Sequence, residues 1–182
     1  MTLVEGGAAY QPRGYRHRFD EVSPDFEAVE ITGPATLTSD TATEAGPDSS
    51  AAPVYSDDSD ENYVMANGPR PFFKYRDLGT RGPTEERMHI HVVRATGQPG
   101  EGTGWHYHTM AQWFMILGGE SDIRVEDGPR ITLRVGDTMC IGSGTGQRHN
   151  VAPFSGDYAV LEVCVPAVYE TIAVEAPDGA AS

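Results

Sequence analysis

From Tyr63 onward the apolar residues come only in short runs, each closed by glycine, proline or aspartate. The runs cover residues 72–77, 88–94, 105–117, 121–126, 131–135, 138–141, 149–153 and 158–165. Between them lie turn-forming stretches at 79–83, 97–104, 118–119, 127–129, 136–137, 142–146 and 155–157. A helical bundle needs apolar residues recurring every three or four positions over a dozen or more residues, and no stretch provides that. Many short strands at regular spacing predict an all-β sandwich or barrel. The 21 glycines and 13 prolines fit a chain made of strands and turns.

The first 62 residues follow another pattern. Between Asp20 and Glu61 stand twelve Asp/Glu and no Lys or Arg, so this stretch holds most of the net charge of −14. Residues 33–61 are rich in Thr, Ser, Ala, Asp and Pro and have little apolar surface to bury, which predicts a largely irregular arm. A short strand within 26–32 or 35–38 is the element its pattern allows. The expected organisation is therefore an acidic arm over 1–62, a β-barrel domain over 63–174 and a tail over 175–182. About 110 residues suffice to enclose a core. Arg13, Arg16, His17 and Arg18 precede the acidic stretch. This head and arm offer a contact for a protein partner, although a solvated tail is the simpler reading.

The strong negative charge argues against a nucleic-acid partner. No apolar run approaches 18 residues, so no membrane span is expected. The N-terminus lacks an apolar signal core, and Cys140 and Cys164 read as free thiols of a reducing compartment. Both features predict a cytoplasmic location.

His106 and His108 lie at i and i+2 in one apolar run, so in a strand both rings point to one side. Gln112, Phe114 and Ile116 keep that parity, and in a small barrel this side is the interior. Two imidazoles buried side by side are costly unless something holds them, and a divalent metal does so. His149 follows a glycine-rich turn that can bring a later strand alongside them. Three imidazoles and one amide oxygen would leave open positions on an octahedral metal, the mark of a catalytic site. His89 and His91 share another strand face and serve either as neighbours of the metal and a proton shuttle or as a partly exposed surface. Glu162 has the parity of Val160 and Cys164. Facing inward it is a general-base candidate; facing outward it is solvated. Tyr107, Trp113 and Met115 form an apolar face of opposite parity to the ligands. That face calls for a second sheet, a folded-back N-terminal segment or a dimer partner over it.

Two segments together resemble the cupin motifs. Gly100 or Gly104 leads into His106 and His108, and Gly118-Gly119 follow; the glutamate position, four after the second histidine, holds Gln112. Gly136-Asp137 opens the second motif and His149 ends it, with Gly142-Ser143-Gly144 in place of the usual proline and two extra residues before the histidine. The resemblance covers residues 70–170 and implies a single cupin domain, a double-stranded β-helix or jelly-roll barrel, here with a long acidic N-terminal arm. Phe72-Phe73-Lys74-Tyr75-Arg76-Asp77-Leu78-Gly79, the segment 91–95, Trp105-His106-Tyr107-His108 and the segment 161–167 are similar to small cupins related to the acetylacetone (β-diketone) dioxygenases. That likeness implies one Fe(II) held by His106, His108 and His149 without a carboxylate.

Glutamine in place of glutamate removes one negative charge beside the metal, so a chelating anion such as an enolate or an ortho-diol is the expected substrate. Gln112 is expected either to ligate weakly or to hydrogen-bond a bound water or substrate oxygen. Phe73, Tyr75 and Phe114 line a pocket or pack a core. The leading expectation is a non-haem Fe(II) dioxygenase, with Gln112 and Glu162 as catalytic candidates and a homodimer as the expected assembly. Two alternatives stand beside it: a Zn-, Ni- or Mn-dependent lyase or isomerase, and a non-catalytic cupin that binds a small ligand or a partner.

Overall fold

The computed structural model describes residues 2–15, 17–33, 52–66, 70–97 and 102–177. Strands dominate: β1 (Ala8–Tyr10), β2 (Val54–Ser56), β3 (Val64–Met65), β4 (Phe73–Asp77), β5 (His89–Ala95), β6 (His106–His108), β7 (Ala111–Gly118), β8 (Glu120–Val125), β9 (Arg130–Arg134), β10 (Thr138–Ile141), β11 (His149–Phe154), β12 (Ala159–Val165) and β13 (Thr171–Ala173). Two single-turn 3-10 helices complete the secondary structure of the described residues. No helix among them is long and apolar enough to cross a membrane.

Two antiparallel sheets make the barrel. One runs β10-β7-β12-β5-β4-β3 and the other β13-β6-β11-β8-β9. Phe73, Val93, Phe114, Ile116 and Val160 of the first pack against Ile123, Leu133 and Phe154 of the second. Ile116 and Ile123 are wholly buried there. This is the all-β jelly roll that the short punctuated runs predict.

The run at 105–117, expected as one strand, is two. Thr109 and Met110 break it, and the chain passes from the five-stranded sheet (β6) to the six-stranded one (β7). The break is held from outside: the Thr109 amide donates to the Glu170 carbonyl, and the Gly144 amide donates to the His108 carbonyl. An uninterrupted apolar pattern carries no trace of such a crossing.

β5 and β12 are apolar on both sides because both sides are covered. Val93 and Val160 face the barrel core. On the other face Leu78, Ile90, Val92 and Val163 form a second cluster with Ala8, Tyr63, Met88, Trp113 and Leu161. A folded-back N-terminal segment thus reaches the face on which Trp113 lies, one of the three coverings expected. β1 and β2 pair antiparallel, with Ala8 opposite Ser56 and Tyr10 opposite Val54.

Asp58 ties this segment down. It pairs with Arg76, which is 2% exposed, and with Arg94, and it accepts a hydrogen bond from the Tyr63 hydroxyl at 2.7 Å. Arg76 also donates to the Gly6 carbonyl at 2.7 Å.

The expected boundary at residue 62 therefore falls elsewhere. Met1–Tyr10 and Val54–Ser182 group as one compact unit, and Gln11–Pro53 as another. Asp58 and Asp60 look like arm residues in a charge count, but their partners Arg76, Arg94 and Lys74 lie on distant strands. Within the second unit, residues 26–32 form no strand. The rings of Phe19 and Phe26 meet there at a tilt, with centroids 5.4 Å apart. The other candidate strand, 35–38, lies outside the described residues.

Candidate metal centre

His106 and His108 alternate on β6 and so project to one side. β11 pairs with β6 through one register position, His149 opposite His106. A direct cross-strand pair brings Cβ atoms to about 5 Å, close enough for two rings to meet over a common point. Ring centroids lie 4.2 Å apart for His106 and His149, 4.9 Å for His106 and His108, and 5.2 Å for His108 and His149. One ligand nitrogen from each lies within 4.8 Å of the others, and all three residues are buried.

The second nitrogen of each ring is already engaged. His106 Nδ1 bonds the Gly104 carbonyl at 2.7 Å, and His149 Nδ1 bonds the Gln147 carbonyl at 2.9 Å. A carbonyl only accepts, so both rings carry their proton on Nδ1 and keep a lone pair on Nε2. His108 Nδ1 bonds the Thr171 hydroxyl at 2.9 Å. Such partners fix ring orientation and tautomer for metal binding.

Burial first, then the Arg70 guanidinium and the neighbouring His149, pulls His106 down to about 2. Burial and then His149 lower His108 to about 4. Burial likewise lowers His149. All three are neutral donors at neutral pH, the form that binds a divalent cation. A His106-His108-His149 set that could hold a metal ion is thus present, as expected from sequence, and its donors fit one.

The rings open onto a cavity of about 120 Å³. Phe73, Val93, Phe114, Ile141 and Val160 give it an apolar wall. Gln112, Glu162, His91, Arg70 and three tyrosines add polar groups. Gln112 comes from β7, hence from the opposite sheet to His106 and His108, yet it reaches the same chamber and is 6% exposed. Glu162 faces inward, which settles the choice left open by its parity. It stands directly across from His91 in the β12–β5 pairing, and its Oε2 meets His91 Nε2 at 2.7 Å. Burial by itself would raise the Glu162 carboxyl; the hydrogen bond and charge of His91, with help from His108 and Arg70, bring it below the usual carboxylate range.

His89 and His91 part company. Both line a groove beside Val54–Ser56 and Asp77, with ring centroids 4.5 Å apart, but of the two His91 alone also lines the chamber. The His89 Nε2 atom is 3.7 Å from Asp77. Cys164 is buried, whereas Cys140 is exposed on β10, beyond which no strand pairs among the described residues.

Three site residues escaped the sequence reading. Arg70 stands in the sequence Gly-Pro-Arg-Pro, where an arginine looks like any solvated residue. Tyr169 and Thr171 follow the last expected strand; the alternation at 171–173 is too short to announce β13.

Residues 93–164 match the family model described as the cupin domain. The matched stretch is thus similar to a cupin domain, and the three-histidine set lies on the inner wall of the jelly roll. A polyketide cyclase from Streptomyces resistomycificus superposes with a TM-score of 0.52 at 15% identity, covering 64% of this chain and 81% of that one. That likeness is one of fold. A cupin-like protein from Thermotoga maritima gives a TM-score of 0.48 at 18% identity, over 63% of this chain and 89% of that one. An RmlC-like cupin from Shewanella frigidimarina gives 0.46 at 18% identity, over 60% and 88%. No curated protein matches the sequence.

Proposed function

We propose that the chain is a metal-dependent cupin enzyme, a non-haem Fe(II) dioxygenase that acts on a small anionic chelate such as a β-dicarbonyl enolate or an ortho-diol. The observation that carries this reading is the charge of the donor set: three neutral imidazoles and no carboxylate, with the amide of Gln112 where cupins commonly have glutamate. A divalent ion so held keeps its full positive charge, and Arg70 adds another at the same chamber. The ionised Glu162 in the same chamber offsets one of these charges, and an anionic ligand balances the rest. The sequence similarity to the acetylacetone dioxygenases points the same way.

A cavity of about 120 Å³ admits a small substrate, well under the usual few hundred Å³ of a drug-sized site. Bound iron would supply charge stabilisation and dioxygen activation for oxidative C–C cleavage, with both oxygen atoms entering the products. The protein's own groups do the rest. Glu162 accepts the proton lost when the dicarbonyl becomes its enolate, and the His91 N–H keeps that carboxylate ionised beforehand. Gln112 hydrogen-bonds a substrate oxygen. Arg70 steadies the anion, and Phe73, Phe114 and Ile141 exclude water from it.

The Glu162–His91 pair also favours a second reading, a Zn-, Ni- or Mn-dependent lyase or isomerase, since proton transfer beside a Lewis acid needs no oxygen. The deciding experiment is oxygen uptake by anaerobically reconstituted Fe(II) protein given a 1,3-dicarbonyl or a catechol. Uptake matched by cleavage products is expected. Turnover by the Zn(II) form under argon would replace the dioxygenase by the Lewis-acid enzyme. Ligand affinity that survives chelation, without turnover, would leave a binding module.

A further inference from the structure

Beside the same chamber lies a second cluster of donors, distinct from the three histidines. Glu162 and Cys164 alternate on β12 and so share one face, and β5 sets His91 directly opposite Glu162. One ligand atom each from His91, Glu162 and Cys164 lies within 4.8 Å of the others. Cys164 is wholly buried, and the side chain of His91 is 5% exposed. Glu162 and His91 open onto the cavity, which gives an entry path.

Two features point to an occupant. The hydrogen bond to Glu162 uses His91 Nε2 alone, and His91 Nδ1 is buried without a partner. With Nδ1 unengaged, the ring proton can move there and leave the Nε2 lone pair to a cation. The donors are also of one chemical kind: imidazole, carboxylate and sulfur together suit a thiophilic divalent cation. The spacing is close to what one needs. A proton now holds Nε2 and Oε2 at 2.7 Å. Bonds of about 2 Å at tetrahedral angles would part them to roughly 3.3 Å, a shift of a few tenths of an ångström.

We propose that His91, Glu162 and Cys164 form a second cation site, selective for thiophilic divalent ions such as Zn(II) or Co(II), in the same chamber as the three histidines. Binding displaces the thiol proton of Cys164 to solvent, moves the His91 ring proton from Nε2 to Nδ1, and leaves a thiolate–metal bond. The carboxylate remains ionised, and water or a substrate atom takes the fourth position. Occupancy withdraws Glu162 from proton transfer, so a thiophilic ion in excess inhibits; that consequence rests on the function proposed above, whereas the binding does not.

The test is an anaerobic titration of the metal-free full chain with Co(II), followed by near-ultraviolet absorption and by elemental analysis after desalting. Two equivalents are expected, one bringing the thiolate-to-cobalt charge-transfer band that three imidazoles cannot produce. Cys164→Ser is expected to bind one equivalent and lose the band; Cys140→Ser is expected to keep both. His106→Ala is expected to lose the other equivalent and retain the band, so failure of the three-histidine site is read separately. Saturation of the wild-type chain at one equivalent without the band would overturn the proposal. So would a band that survives Cys164→Ser and disappears in Cys140→Ser.

Discussion

At the scale of single residues, the arrangement of the three histidines allows little tolerance. Each ring is fixed at Nδ1 by a partner from a nearby turn or strand, and only Nε2 is left for a cation. His106→Ala and His149→Ala are each expected to abolish metal binding at that site, whereas Gln112→Ala should leave it mostly intact, as equilibrium dialysis would show. Full occupancy in His149→Ala would remove this residue from the donor set. Thr171→Val keeps the shape of the side chain but deletes the partner of His108. The loss of such a partner typically costs about 10–100-fold in metal affinity, so competition with a chelating dye should report a shift of that order. The three ligands were legible in the sequence because period-two spacing and a glycine-rich turn are local signals. The His91–Glu162 pair was not. Its members are joined by strand register across the sheet, and nothing near either residue announces the other.

At the scale of elements, the sequence reading found eight runs and the structure keeps all of them as strands, with one divided at Thr109 and Met110. The short strands outside those runs, β1, β2, β3 and β13, give too few alternations to stand out from loops. Their place is set by tertiary partners. Asp58 is the clearest case, since the buried Arg76 and the half-buried Arg94 both depend on it. Removing one member of a buried ion pair strands the other charge, at a typical cost of about 3–5 kcal/mol. Asp58→Asn should therefore lower the urea midpoint strongly although it lies far from the histidines in sequence. A change within the scatter of ordinary surface substitutions, under about 0.5 kcal/mol, would show that the N-terminal segment contributes little to the barrel.

At the scale of the whole molecule, burying neutral histidines makes folding sensitive to acid. Unfolded, each imidazole takes up a proton near its ordinary value of 6.5; folded, His106 does so at about 2 and His108 at about 4. Between these values the unfolded chain binds more protons than the folded one, so stability is lost as the pH falls below 6.5. Each such group contributes up to ~1.4 kcal/mol per pH unit. Urea denaturation of the metal-free protein should show a midpoint that falls steadily from pH 7 to pH 5. A flat midpoint would contradict neutral burial of these rings.

The antiparallel pairing of Tyr10 with Val54 makes β1 and β2 the two legs of a hairpin, and everything from Gln11 to Pro53 is a detour between them. Trimming the chain from its N-terminus up to Pro53 would discard β1 with the detour and uncover Leu78, Ile90 and Val163. Splicing Tyr10 to Val54 through an Asn-Gly turn keeps both legs, because a two-residue turn of that type closes such a ribbon. The spliced protein should melt close to the parent, while the trimmed one should not. Genetically, then, the segment between the legs is expected to behave as a cassette, open to exchange or to a reporter while the barrel keeps its melting temperature.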